Sequence, residues 1–200
     1  VLLGQDKDAY LPGEEIGYRV DVENQGPRQI QKVVLKTVIP VGTDYEPGSV
    51  MINDEVIPDE QVTFDQERDV LTVDLPNLDV GEKLTVDFNL RLKDLPDAPY
   101  ADSLIEQEIV ITYRTILQDL FQTGAGPVTS KVLAAGKLDL SPGYTLSAPP
   151  GSRPVFAHTM TNLSNGGDAF LIQMSTTADL DITWYYDVNG DGKLDDGDTV

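Results

Sequence analysis

The sequence predicts an all-β chain, arranged as two antiparallel β-sandwich units in tandem, the second of them incomplete. Three observations carry that expectation. Apolar and polar residues alternate with a period of two along most of the chain, turn-forming Pro and Gly residues punctuate the alternation, and the pattern restarts near Lys137. With 200 residues and 40% hydrophobic content, the chain is long enough for one large domain or two small ones.

The first unit is expected over residues 1–136. Val1 already lies in a strand-like segment. Pro12-Gly13 turns the chain into Ile16, Tyr18, Val20 and Val22, which alternate with Gly17, Arg19, Asp21 and Glu23. Gln25-Gly26-Pro27 ends that run, and Pro40-Val41-Gly42, Pro47-Gly48, Asn53-Asp54 and Val80-Gly81 end others. Pro cannot donate to a strand ladder and Gly accepts φ > 0, so such residues close strands. Leu71, Val73 and Leu75 form one short run, and Leu84 to Leu92 a long one. Ile109, Ile111 and Tyr113 form another. Each run turns one face to a core and the other to water, as antiparallel sheets do. Residues 115–122 fit a helical turn, a loop or a strand.

The second unit is expected over residues 137–200, after the small, flexible linker Leu133-Ala-Ala-Gly136. Leu138 and Leu140 begin a strand. Phe156, His158 and Met160 share a face, as do Phe170, Ile172 and Met174, and then Ile182, Trp184 and Tyr186. Pro12-Gly13 followed by Ile16 to Val22 parallels Pro150-Gly151 followed by Val155 to Thr161, an approximate internal repeat. About four strands fit in this unit, too few to close a sandwich. Either the chain is cut short or another chain adds the missing strands; both readings stay open.

Composition excludes several functions. There is no cysteine, hence no disulfide framework and no thiolate metal site. Fourteen basic residues face 34 acidic ones, a formal net charge of −20 and a pI near 4.1. That field repels phosphate backbones and anionic lipid, so neither nucleic acid nor a membrane surface is an expected partner. No run is apolar enough to span a membrane, and the N-terminus lacks a signal-peptide pattern, so the chain reads as processed or excised.

Four stretches of the first unit resemble the Ig-like domain repeated in bacterial cell-surface proteins, a family catalogued as a domain of unknown function. They are Leu11-Pro-Gly-Glu-Glu-Ile-Gly-Tyr-Arg-Val-Asp-Val-Glu-Asn-Gln-Gly26, Val33 to Pro40, Tyr45-Glu-Pro-Gly-Ser-Val50, and Leu71 to Leu75 followed by Leu78-Asp-Val-Gly-Glu-Lys-Leu-Thr-Val86. Val80 stands where that family usually has Pro. In the second unit, His158 to Asn162, Asp168 to Phe170 and Trp184 to Asp198 resemble a sister repeat. The resemblance implies tandem Ig-like sandwiches on large exported bacterial proteins, at the cell surface or outside it, and implies no reaction. Residues 94–126 depart from the family pattern and are expected to form an elaborated loop or hairpin.

One constellation carries chemistry. Asp187-Val-Asn-Gly-Asp-Gly-Lys-Leu-Asp-Asp-Gly-Asp198 fits a twelve-residue calcium loop of the EF-hand or dockerin type. Asp187, Asn189, Asp191, Asp195 and Asp198 offer side-chain oxygens at positions 1, 3, 5, 9 and 12. Gly192 takes the sharp turn, and Lys193 offers its backbone carbonyl at position 7. A hard cation needs six to eight oxygens around one point, and this spacing wraps the chain about such a point. Five Asp against one Lys in so short a segment repel one another without a cation. Asp198 stands where Glu is usual, and the loop follows a strand, which suits a structural ion rather than a sensor. Magnesium is disfavoured because it demands a small octahedron and keeps its waters. The alternative is an Asp/Gly-rich surface turn that binds nothing tightly.

Catalytic chemistry finds little support. His158 is the only histidine and sits on an apolar-alternating face, where a packing role is expected. No Ser lies in a Gly-x-Ser-x-Gly elbow, and nothing marks any carboxylate pair for glycoside hydrolysis. Alternation places Trp184 in a core and Tyr185 outside it, which argues against a flat sugar platform. Asn162-Leu163-Ser164 is a glycosylation sequon, and a Lys–Asn cross-link suits the fold, but no pattern selects the pair. The expected function is non-enzymatic: a structural module rigidified by calcium. Alternatives are a filament or surface-layer subunit completed by a neighbour's strand, and an adhesive or carbohydrate-binding module.

Overall fold

The computed structural model describes residues 1–177 and 180–199. Val200, the last residue of the expected second unit, lies outside them. The chain divides into two compact units, Val1–Ala135 and Gly136–Val200.

The first unit is a two-sheet β-sandwich. One sheet holds β1 (Leu2–Gln5), β3 (Glu15–Glu23), β10 (Lys83–Leu92), β6 (Met51–Ile52) and β7 (Glu55–Val56) in that order, with β5 (Thr43–Tyr45) beside β6 along β10. The other runs β2 (Ala9–Tyr10), β12 (Leu120–Val132), β11 (Leu104–Thr115), β4 (Ile30–Val38), β9 (Val70–Leu75) and β8 (Val62–Asp65). Every strand pairing in these sheets is antiparallel except β2 with β12. Asn53 and Asp54 both take positive φ in the two-residue turn between β6 and β7, a conformation that Asn and Asp tolerate well.

Alternation in the sequence becomes sidedness in the sheets. Ile16, Tyr18, Val20 and Val22 of β3 lie opposite Leu90, Phe88, Val86 and Leu84 of β10, and all eight are buried. Their core is completed from the second sheet by Val33 and Leu35, Leu71 and Val73, and Ile105, Ile109 and Ile111. The Tyr18 and Phe88 rings stack 5.3 Å apart at 22°. Residues 94–126, expected as an elaborated loop or hairpin, contain all of β11 and the first half of β12, a hairpin whose strands supply part of the core. Residues 115–122 form its tip, where the Thr115 N–H donates to the Asp119 carbonyl at 3.1 Å.

The second unit is sparser than expected. Its strands among the described residues are β13 (Leu138–Ser141) and β14 (Thr159–Asn162), an antiparallel pair, plus a single bridge between Tyr186 and Thr199. The runs around Phe170 and Trp184 form no strand. Trp184, expected in a core, is 49% exposed, and Tyr185 is 47% exposed. Period-two alternation yields a strand only where a second layer covers the apolar face, and these residues have none.

Candidate metal centre

The segment Asp187–Asp198 is closed at its base by the Tyr186–Thr199 bridge, where the Tyr186 N–H donates to the Thr199 carbonyl at 2.7 Å and the return bond is 3.3 Å. Within it, short polar side chains accept bonds from backbone N–H groups ahead of them. Asp187 accepts from Gly190 (2.7 Å) and Gly192 (2.8 Å), Asn189 from Asp191 (2.9 Å), Asp191 from Lys193 (2.8 Å), and Asp195 from Gly197 (2.8 Å). Asp198 reaches back to the Val188 N–H at 3.3 Å and the Asp195 N–H at 3.0 Å. The Asn189 amide donates to Asp195 at 2.9 Å. Gly190 and Gly192 both take positive φ, the conformation that lets the chain coil this tightly.

All five side chains chosen from the sequence thus belong to one hydrogen-bonded loop. Their carboxylates are not drawn together, however. Among the described residues, no three His, Cys, Asp or Glu side chains gather into a group able to hold a metal. The donors are all oxygens, a set suited to a hard cation and unsuited to zinc or copper. Further donors, the Asn189 carboxamide and the Lys193 carbonyl, come from groups other than carboxylates.

The first unit holds buried polar groups that the sequence reading missed. Gln107 is fully buried on β11 and donates to Thr37 Oγ1 and to the carbonyls of Glu108 (2.8 Å) and Val38 (3.3 Å). Its own carbonyl oxygen has no partner. The signal was present: Gln107 occupies an inward position between Ile105 and Ile109. On the outer face of the other sheet, buried Asp87 pairs with Arg19 across β10 and β3. Asn24 is structural, its amide donating to the Arg28 and Leu78 carbonyls at 2.9 and 3.0 Å while its oxygen caps Gly26.

None of this assembles a reactive centre. His158 is exposed and packs edge-on against Tyr144, with centroids 5.3 Å apart. The Thr37 hydroxyl bonds backbone carbonyls and Gln107, with no carboxylate among its partners to take its proton. No lysine among the described residues is buried, so none is placed for a cross-link through a core. A surface depression of about 670 Å³ in the first unit carries Glu55 and Asp74 but no histidine or cation. No helix among the described residues is long and apolar enough to cross a membrane.

No family model matches the chain, and no curated protein matches it. Solved structures do. The structure is similar to BcpA, the major pilin subunit of Bacillus cereus, in its D312A form, with a TM-score of 0.50 at 13% identity over 69% of this chain. It is similar to the same degree, 0.50 at 11% identity over 69%, to the full-length major pilin SpaD of Corynebacterium diphtheriae. This chain spans 41% of the length of each. At such identities the likeness is one of fold. The all-β, Ig-like sandwich expected from the sequence is the fold found.

Proposed function

We propose that this chain is a non-enzymatic structural module of a bacterial cell-surface or secreted protein, and that calcium orders its second unit. The observation that carries the reading is the contrast between the two units. The first has a closed core. In the second, Phe156, Phe170, Ile172, Ile182 and Trp184 are each 36–49% exposed around one two-stranded hairpin. A segment that buries so little apolar surface does not offset its conformational entropy by packing alone. An ion that binds only the folded loop supplies the missing free energy, because binding energy is then folding energy. The all-oxygen, Asp-rich loop is the place for it, and the −20 charge draws cations to the molecule.

Thermal melts of the intact chain in calcium and in EDTA test this. Two transitions are expected, the one belonging to residues 136–200 rising with calcium and the other unmoved. A single calcium-independent profile overturns the calcium claim.

A second reading is favoured by the same exposed faces. The hairpin of β13 and β14 leaves both outer edges without a strand partner among the described residues, with Leu140 and Met160 exposed. A strand from a neighbouring subunit adds there in a filament or surface layer, the class of assembly that the pilin-like fold of the first unit suits. Polymers seen by negative-stain microscopy support this reading. A monomer at every concentration, with and without calcium, removes it.

A further inference from the structure

We propose that the outer edge of β12, from Phe121 to Ala125, is a self-association surface on which two copies of this chain pair antiparallel about a two-fold axis at Thr123. β12 is bonded to β11 from Leu120, opposite Arg114, to Ala125, opposite Ile109. On its other side β2 meets it only at Lys131 and Val132, and the Gln5 side chain reaches Thr129 and Ser130. The intervening backbone pairs with no strand on that side among the described residues. A row of free N–H and C=O groups is a template for another strand unless it is blunted by charge, proline or brevity.

From Phe121 to Ala125 this edge carries neither charge nor proline. β1, β7 and β8 have four residues or fewer, whereas β12 has thirteen. From Leu120 through Ser130 no residue is charged, in a chain that is 24% charged and carries −20 overall. The net charge of −20 sets two copies against each other overall. Here their backbones meet without placing like charges together.

The side chains are self-complementary in one register. With Thr123 on the axis facing its own copy, Phe121 of each copy stands opposite Ala125 of the other, and Gln122 opposite Gly124, a large group against a small one in each of these off-axis pairs. Phe121, Thr123 and Ala125 lie on the core side, across from Tyr113, Ile111 and Ile109. The Phe121 ring stacks on Tyr113 at 5.7 Å yet stays 46% exposed, so a second copy covers what the first leaves open. Gly126, with φ 111°, and Pro127, which lacks an N–H, end the ladder. Five pairs make a weak dimer, with dissociation constants on the order of 10 µM to 1 mM.

The proposal rests on the reading of this chain as a module that meets copies of itself, and it needs no calcium. Sedimentation of the intact chain in EDTA over that concentration range tests it, at low and high salt. A monomer–dimer equilibrium is expected, strengthened by salt because salt screens the mutual repulsion. Thr123→Lys, an exposed site, is expected to weaken it at least tenfold with an unchanged melt. Because the chain has no cysteine, Thr123→Cys gives a single thiol. Under mild oxidation it should form cross-linked dimers far faster than Thr63→Cys on β8. A dimer indifferent to Thr123→Lys, with equal cross-linking at both sites, overturns this edge and leaves the assembly reading standing. A monomer at every concentration, in calcium as in EDTA, overturns both.

Discussion

Arg19 and Asp87 stand directly opposite each other on β3 and β10 and are joined by two hydrogen bonds, 2.7 Å from Nε to Oδ1 and 3.1 Å from Nη2 to Oδ2. The carboxylate is nearly buried while the guanidinium reaches water. The bond to Asp87 raises the Arg19 pKa above its ordinary value. Arg19→Met leaves a mostly desolvated carboxylate without its bidentate partner. It should lower the unfolding midpoint of the first unit clearly more than Lys83→Met, which breaks only the exposed pair with Glu23. Urea titration of both variants checks the order.

Phe88 tests the core. Its ring stacks on Tyr18 with no exposure, so Phe88→Ala opens a cavity between the sheets. A loss of about 3–5 kcal/mol is expected, read from denaturant unfolding of the first unit.

Gln107 is the most exacting polar position. Gln107→Glu turns a donor amide into a carboxylate facing the Val38 and Glu108 carbonyls. At neutral pH several kcal/mol should be lost, on the order of 2–5 kcal/mol. The buried acid has its folded pKa raised, so the stability of this variant is fully present below about pH 4.3 and falls as pH rises. Unfolding at pH 4 and pH 7 should therefore differ more for the variant than for the parent.

Two tyrosines should weaken the first unit at alkaline pH. Burial pushes the Tyr18 phenol up to about 12; nearby Ser130 pulls it partly back, though the hydroxyl forms no well-shaped hydrogen bond. Burial and the 2.5 Å bond to Asp6 raise Tyr10 further still. Both hold their protons more tightly folded than unfolded. Their contribution is complete below about pH 10 and is lost as pH climbs through the folded values. Tyr18→Phe should flatten that decline at a cost within about 1 kcal/mol at neutral pH.

Much of this fold was legible in the residues. The runs at Ile16 to Val22 and Leu84 to Leu92 became neighbouring strands because both faces of the pattern, apolar in and polar out, could be satisfied. The run at Ile182 to Tyr186 shows the limit: its alternation is as regular, but a strand also needs a covering layer, and that depends on what packs against it. Gln107 was overlooked because an amide at an inward position interrupts the apolar rule. Its partners on β4 are 69 and 70 residues away in sequence. The Asp187–Asp198 loop, the proposed calcium site, was readable as spacing. Spacing fixes which oxygens can converge, and only an ion decides whether they do.

Amide hydrogen exchange of the intact chain, with millimolar calcium and with EDTA, reads the ordering of each unit separately. Calcium should slow exchange across residues 136–199 by about tenfold or more, leave residues 1–135 as they were, and be poorly replaced by magnesium. Asp187→Ala and Asp191→Ala should abolish the effect. Identical exchange in calcium and EDTA throughout residues 136–199 would contradict the account at its centre.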